Sequence, residues 1–144
     1  MNWENNEDLK DLIKYEYMIT NDKDFKRNPI FHFGIEFGRN WLDLTYELLD
    51  IIYNLDTQKR FTIFQIKEKF GEFRFYYSYK DNNGDDIFKV NFDDEIKSIE
   101  EIINTYTDKI NNMCEQCGKP GERRFLQWIQ TLCDTCHEEK NNDN

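Results

Sequence analysis

An α+β fold, with helices packed on an antiparallel β-hairpin or meander, is what three patterns in this 144-residue chain predict. Two stretches repeat apolar residues at helical spacing, two aromatic runs alternate about a glycine, and four cysteines fall in two spaced pairs near the C-terminus. A chain of this length has room for one domain burying about 68 to 70 per cent of its unfolded surface. Aromatic content of 16% places rings in the core, while 33% charged residues and a mean hydropathy of −0.90 describe a strongly solvated exterior. No run approaches the roughly eighteen apolar residues of a membrane span. The opening MNWENNEDLK lacks an apolar signal core, so the expectation is a soluble protein of a reducing cytoplasm.

Residues 5 to 18 place Leu9, Leu12, Ile13 and Met18 near helical spacing among charges, which predicts an amphipathic first helix. Asn21 to Pro29 is polar and ends in proline, hence a loop, and the aromatic stretch Ile30 to Phe37 reads as an irregular strand. Asn40 is a candidate N-cap. From Trp41 the residues Leu44, Leu48, Leu49, Ile51, Ile52 and Leu55 give a helix of about fourteen residues with a wide apolar face. Phe61 to Lys67 and Glu72 to Tyr79 form a hairpin broken at Gly71, with Phe73, Phe75, Tyr77 and Tyr79 on one face. Glu72, Arg74, Tyr76 and Ser78 then line the face toward water. Asp81 to Asp86 is acidic enough for a calcium loop, but its glycine is misplaced and Phe92 stands where the closing Glu belongs. It reads as a turn into a third strand, Ile87 to Phe92. Asp93 to Met113 is a long helix with Ile96, Ile99, Ile103, Tyr106, Ile110 and Met113 along one stripe. Asp93, Asp94 and Glu95 at its start suit the positive end of the helix dipole.

Cys114-x2-Cys117, fifteen residues, then Cys133-x2-Cys136 are four soft thiolates that can close a tetrahedron around one Zn²⁺. A redox pair would need a single Cys-x2-Cys at a helix start within a βαβ pattern, which this segment lacks. Gly118 allows a tight turn after Cys117, and Lys119-Pro120-Gly121-Glu122 fits a type II turn, so Phe125 to Leu132 can return as a strand. Cys133-Asp134-Thr135-Cys136 opens a short helix whose amides favour a thiolate. His137, beside Cys136, is a competing fourth ligand. Four protein ligands leave no position for an activated water, so the zinc is expected to be structural rather than catalytic. Its binding energy of about 10 to 16 kcal/mol exceeds the net stability of most domains, so chelation should unfold at least the C-terminal third.

In its C-x2-C, its Trp128 before the return and its L-C-x2-C, the segment Cys114 to Cys136 resembles a treble-clef finger of the GATA type. The expected division is an N-terminal helix and loop (1–30), an α+β body (31–113), a treble-clef-like zinc finger (114–140) and a frayed tail (141–144). More widely, QIKEKFGEFRFY at 65–76, a long helix, CEQCGKPG, a Trp and TLCDTCH resemble a family of small phage and prophage proteins of unassigned activity. Members show K-E-K-F-G-x-L-R-F-Y, then C-x2-C-G-x-P-G and L-C-x2-H or L-C-x2-C. The likeness runs from Trp41 to His137 and departs at Phe73, where Leu is usual. Carrying both Cys136 and His137, where relatives often have one ligand, leaves the fourth ligand open. The resemblance implies a bacterial or phage-infected host cell and carries no activity with it.

A formal charge of −10 disfavours binding to nucleic acid, whose affinity comes largely from cations that neutralise phosphates. Acidity is concentrated between Asp81 and Lys109, where Asp85, Asp86, Asp93, Asp94 and Glu95 are candidate contacts for a basic protein partner. Two small basic patches stand against it, Lys67, Lys69, Arg74 and Lys80 on the hairpin and Arg123 with Arg124 in the finger. Their ordinary reading is solvated edge charge that deters sheet aggregation. No nucleophile with a base, facing carboxylates or open metal site stands out, and His32 lies in an aromatic stretch where a packed ring is the expected role. The expected function is a non-catalytic protein-binding module, in its most specific form a phage inhibitor occupying the cationic groove of a host RNA-guided nuclease. The alternative is a nucleic-acid-binding finger using Arg123, Arg124 and Trp128 with the exposed Tyr76 for stacking.

Overall fold

The computed structural model describes residues 10–125 and 127–142. It is an α+β architecture in which β1 (Ile35–Glu36), β2 (Phe61–Lys69) and β3 (Glu72–Tyr79) form a sheet ordered β1-β2-β3. β1 runs parallel to β2, and β2 and β3 are the antiparallel hairpin. Helices α3 (Arg39–Leu55) and α4 (Asp94–Asn111) pack together, and both contribute to the core the sheet closes. A second, two-stranded sheet, β4 (Glu122–Phe125) with β5 (Ile129–Leu132), precedes α5 (Asp134–Asn142) and forms the finger. No described helix is long and apolar enough to cross a membrane.

Each face follows from residue spacing. Trp41, Leu48, Leu49 and Ile52 of α3 are buried, as are Ile96, Ile99, Ile103, Tyr106 and Ile110 of α4, so two stripes of helical period meet. Phe73, Phe75, Tyr77 and Tyr79 do share a face, and their rings stack in a ladder that includes Phe61. The rings bring hydroxyls that must find acceptors. Tyr15 donates to Asp50 (2.5 Å), Tyr17 to Asp56 (2.8 Å), Tyr77 and Tyr79 to Glu100 (2.5 and 3.0 Å), and Tyr106 to Glu47 (2.6 Å). The bond to Glu47, with burial, pushes Tyr106 up to about 12. Asp93 caps α4 by accepting from the Ile96 amide (3.0 Å), and Arg60 grips the same carboxylate through both terminal nitrogens (2.8 and 3.0 Å).

Several local expectations are corrected. Ile30 to Phe37 is not a strand: α2 (Pro29–Phe33) forms because Pro29 sits at the first helical turn, where its fixed φ fits and no donor is lost. Gly34, at φ 61°, then turns the chain into the two-residue β1. The Asn21 to Pro29 loop holds a 3₁₀ turn at Phe25–Arg27. Asn40 does not cap α3. Gly38 occupies that position and the helix is 17 residues long, so Asn40 lies inside the first turn. Ile87 to Phe92 is not a third strand either. Ile87 donates to Tyr79 O (2.8 Å), but Asp93 is anchored on Arg60, and the chain leaves the sheet edge through a 3₁₀ turn at Lys89–Asn91. The turn at Asp81–Asp86 is present, bridged by Lys80 and Asp86 with Gly84 at φ 80°.

The first helix is shorter than its pattern suggests, a 3₁₀ turn at Lys10–Tyr15 continued by α1 (Glu16–Thr20), and Leu9 lies outside the described residues. α5 continues to Asn142, into the stretch expected to fray, and residues 143 and 144 lie outside the described residues.

Candidate metal centre

The long helix hands the chain directly to the first cysteine pair. α4 ends at Asn111, and Cys114 to Gly118 folds into a knuckle in which Gly118 N donates to Cys114 O (3.0 Å) and Cys114 N to Lys119 O (2.7 Å). Gly118 holds φ at 82°, the left-handed region where a side chain is strained. The expected type II turn at 119–122 does not form, since Gly121 has no positive φ. Its role is close approach: a Cβ there would lie 3.0 Å from Cys114 Cα, Cys114 N and Leu132 C. β4 and β5 then make a hairpin in place of the single strand expected over Phe125 to Leu132. α5 starts at Asp134, with the Cys136 amide 3.4 Å from Cys133 Sγ.

These elements bring Cys114, Cys117, Cys133 and Cys136 together, with all four sulfurs within 4.8 Å of one another. Cys117 and Cys133 are 3.6 Å apart, against about 3.8 Å for sulfurs on a zinc tetrahedron with bonds of about 2.3 Å. The donor set fits one structural zinc. His137, whose amide donates to Cys133 O (2.9 Å), is not among the clustered groups, and the fourth sulfur of the cluster is that of Cys136. Burial raises the Cys114 thiol, yet the amides of Cys133, Cys117 and Gln116 outweigh it and bring it to about 7. Burial followed by the neighbouring thiols holds Cys136 high, and at Cys117 the Lys119 amide lowers the thiol, as does Cys136, but desolvation and the Cys133 and Cys114 thiols together raise it. Loading zinc therefore expels protons from the high-pKa thiols, and affinity falls as pH falls.

The finger is tied to the body through groups the cysteine spacing does not reveal. Asn40 donates to Glu115 O (3.0 Å) and Gln116 O (2.5 Å), and Trp41 Nε1 to Met113 O (3.0 Å). Thr131 Oγ1 donates to Gly71 O (2.6 Å) and Arg123 Nε to Phe70 O (2.8 Å), while within the finger the Thr131 amide donates to Glu115 (2.6 Å). Burial, reinforced by Glu68, raises the Glu115 carboxyl. Phe70 and Gly71, at φ 54° and 77°, are the central residues of a two-residue turn of type I′, and both their carbonyls are held by the finger. A ring in the left-handed region is strained, so these contacts are what keep Phe70 there. Asn40→Ala should lower the stability of the zinc-loaded protein by about 1 to 3 kcal/mol, read by urea denaturation, with one zinc per chain retained.

The surface candidates are distributed unevenly. Arg74 and Arg123 both pair with Glu72 (2.7 and 3.0 Å), Arg124 with Asp134 (2.6 Å) and Lys80 with Asp86 (2.5 Å). Lys67 and Lys69 lie on β2, and Tyr76 is exposed on β3. Asp93 and Glu95 are engaged by Arg60, at 2.8 and 3.5 Å, while Asp85 and Asp94 are exposed. Trp128 is 74% exposed and, with Glu68, Phe70, Gln127 and Ile129, lines an open cleft of about 320 Å³ between the tips of the two hairpins. Phe70 and Phe125, which the sequence did not single out, are 54% and 74% exposed. An aromatic at an Xaa-Gly hairpin turn was the available signal.

Fold and site together define a zinc-binding α+β protein with a treble-clef-like finger. No family model, curated protein or solved structure matches the chain.

Proposed function

We propose that this protein is a non-catalytic, zinc-stabilised protein-binding module. The observation that carries the reading is the pair of exposed rings, Phe70 and Trp128, that line one cleft where the finger meets the hairpin turn, with the ring of Phe125 also exposed on β4. Large apolar side chains held on a rigid, water-facing tip are the usual centre of a protein interface. Rigidity comes from zinc through Arg123 and Thr131, which hold the turn. A metal with four sulfur ligands has no place for substrate, which supports a non-catalytic role.

The partner has a basic surface. Asp85 and Asp94 are exposed, as are Glu101 and Asp108 farther along α4, on a chain whose formal charge is −10. Pairing of Arg74, Arg123, Arg124 and Lys80 with carboxylates weakens the case for nucleic acid. A phage-encoded inhibitor that occupies the cationic groove of a nucleic-acid-handling defence complex is the specific form that the acidity and the motif likeness support.

Immobilised protein should retain one basic protein from a nuclease-treated bacterial lysate, release it as salt rises, and lose it in a Phe70→Ala/Trp128→Ala variant. Equal retention by that variant, or recovery of nucleic acid alone from an untreated lysate, overturns the reading.

A further inference from the structure

The exposed rings where the finger meets the hairpin differ in what lies over them. Lys69 Nζ sits over the Phe70 ring (5.4 Å to its centre) and the Arg123 guanidinium over the Phe125 ring (5.2 Å). Trp128, whose indole is the strongest cation acceptor among aromatic side chains, has no cation over it among the described residues. The carboxylates nearby divide in the same way. Glu72 is held by both Arg74 and Arg123 (2.7 and 3.0 Å), whereas Glu68 makes no ion pair among the described residues, and its bond from the Gly71 amide is long (3.4 Å). The uncovered indole and the unpaired carboxylate meet, since Glu68 and Trp128 line the same cleft with Phe70, Gln127 and Ile129. Strand alternation sends Lys69 to the opposite face of β2 from Glu68, so the neighbouring ammonium is not the missing counterion.

On the protein-binding reading above, on which this step rests, we infer that the cleft receives the guanidinium of an arginine side chain presented by the basic partner, stacked on Trp128 and forked onto Glu68. A guanidinium is planar, weakly hydrated and always charged, so it can lie flat on an indole while two of its N–H groups reach a carboxylate. Ile129 and Phe70 offer apolar surface to its methylene stem, and the Gln127 side-chain oxygen is a further acceptor.

Lysine fits less well, because a compact and strongly hydrated ammonium gives up both the flat stacking and the fork. A nucleotide is a poorer occupant still, since its phosphates would face Glu68. The cleft's volume of about 320 Å³ lies at the bottom of the range of about 300 to 1,000 Å³ for sites that enclose whole small molecules. One long side chain suits that scale.

Titrating the zinc-loaded, isotope-labelled full chain with the peptide acetyl-Gly-Arg-Gly-amide and with its lysine and citrulline counterparts tests the assignment by NMR. The arginine peptide should move the Trp128 indole N–H resonance with a dissociation constant in the millimolar range, as expected of a single side chain. Citrulline keeps the shape but loses the charge, so it should leave that resonance in place, and lysine should bind more weakly. Glu68→Gln keeps the size of the side chain and an acceptor for Gly71, and it should weaken arginine binding about tenfold with the thermal midpoint unchanged. An arginine peptide that moves nothing, equal movement by citrulline or lysine, or undiminished binding to Glu68→Gln overturns the inference. Retention from lysate separates it from the reading beneath it. If Glu68→Gln retains the basic protein in full while the Phe70→Ala/Trp128→Ala variant loses it, the arginine falls and the protein-binding reading stands. A wild type that retains no protein fails that reading itself.

Discussion

Stripping zinc with a chelator is expected to unfold residues 114–142, less than the C-terminal third that the sequence alone suggests because α4 belongs to the main core, and to free the β2–β3 turn, while the α3–α4 core with the rest of the hairpin stays folded. Among the described residues, the finger's own buried cluster is Cys114, Leu132 and Cys136 with Cys133 packed against it, so its apolar contribution is small. Metal binding of about 10 to 16 kcal/mol is what that cluster lacks once the ion is removed. The body, by contrast, buries rings and aliphatic chains from both long helices and both hairpin strands. Amide hydrogen exchange reads the difference. Protection at Cys114, Gly118 and Gly121, whose amides donate within the finger or to Asn112, should vanish, and Phe70 to Glu72 should exchange faster. Amides in the middle of α3 and α4 should change little. Cys136→Ser should reproduce the chelated pattern and His137→Ala should not. Protection unchanged by the chelator would remove the metal from any structural role.

Trp41→Ala has the second largest expected effect, a loss of about 3 to 5 kcal/mol. Trp41 is 1% exposed, packs edge-on against Phe37, and donates to Met113 O immediately before the first cysteine. Truncation therefore opens a cavity beneath α3 and releases the segment that positions Cys114. Trp41→Phe keeps most of the ring but leaves the Met113 carbonyl without that donor, and about 1 to 3 kcal/mol should follow. Denaturant unfolding measures both losses, and a competitive zinc chelator should show weaker metal retention in both variants. If zinc affinity is unchanged while stability falls, Trp41 serves the core alone.

The metal ligands were legible because thiolates at two-residue spacing, twice, satisfy coordination geometry on local grounds. The long helices and the aromatic hairpin were legible for a similar reason, since a period repeated over many residues averages out single exceptions. What failed depended on one distant partner. Ile87 to Phe92 has strand composition, but the grip of Arg60 on Asp93 pulls the following helix back across the core and the chain with it. Asn40 has the right chemistry for a cap, yet its amide is spent on Glu115 and Gln116, more than seventy positions away. Gly121 carries the sequence signal of a turn residue, yet its missing Cβ serves to admit Cys114 and Leu132. Pro29 opens a helix rather than ending a loop, a local signal that the aromatic run after it obscures.

Because Asn40, Phe70, Gly71 and Asn112 all supply hydrogen-bonding partners to the cysteine-bearing segment, that segment is no portable cassette. Grafted elsewhere it would keep its sulfurs but surrender the scaffold that aims them, so any transplant must carry the opening turn of α3 and the β2–β3 tip along with it.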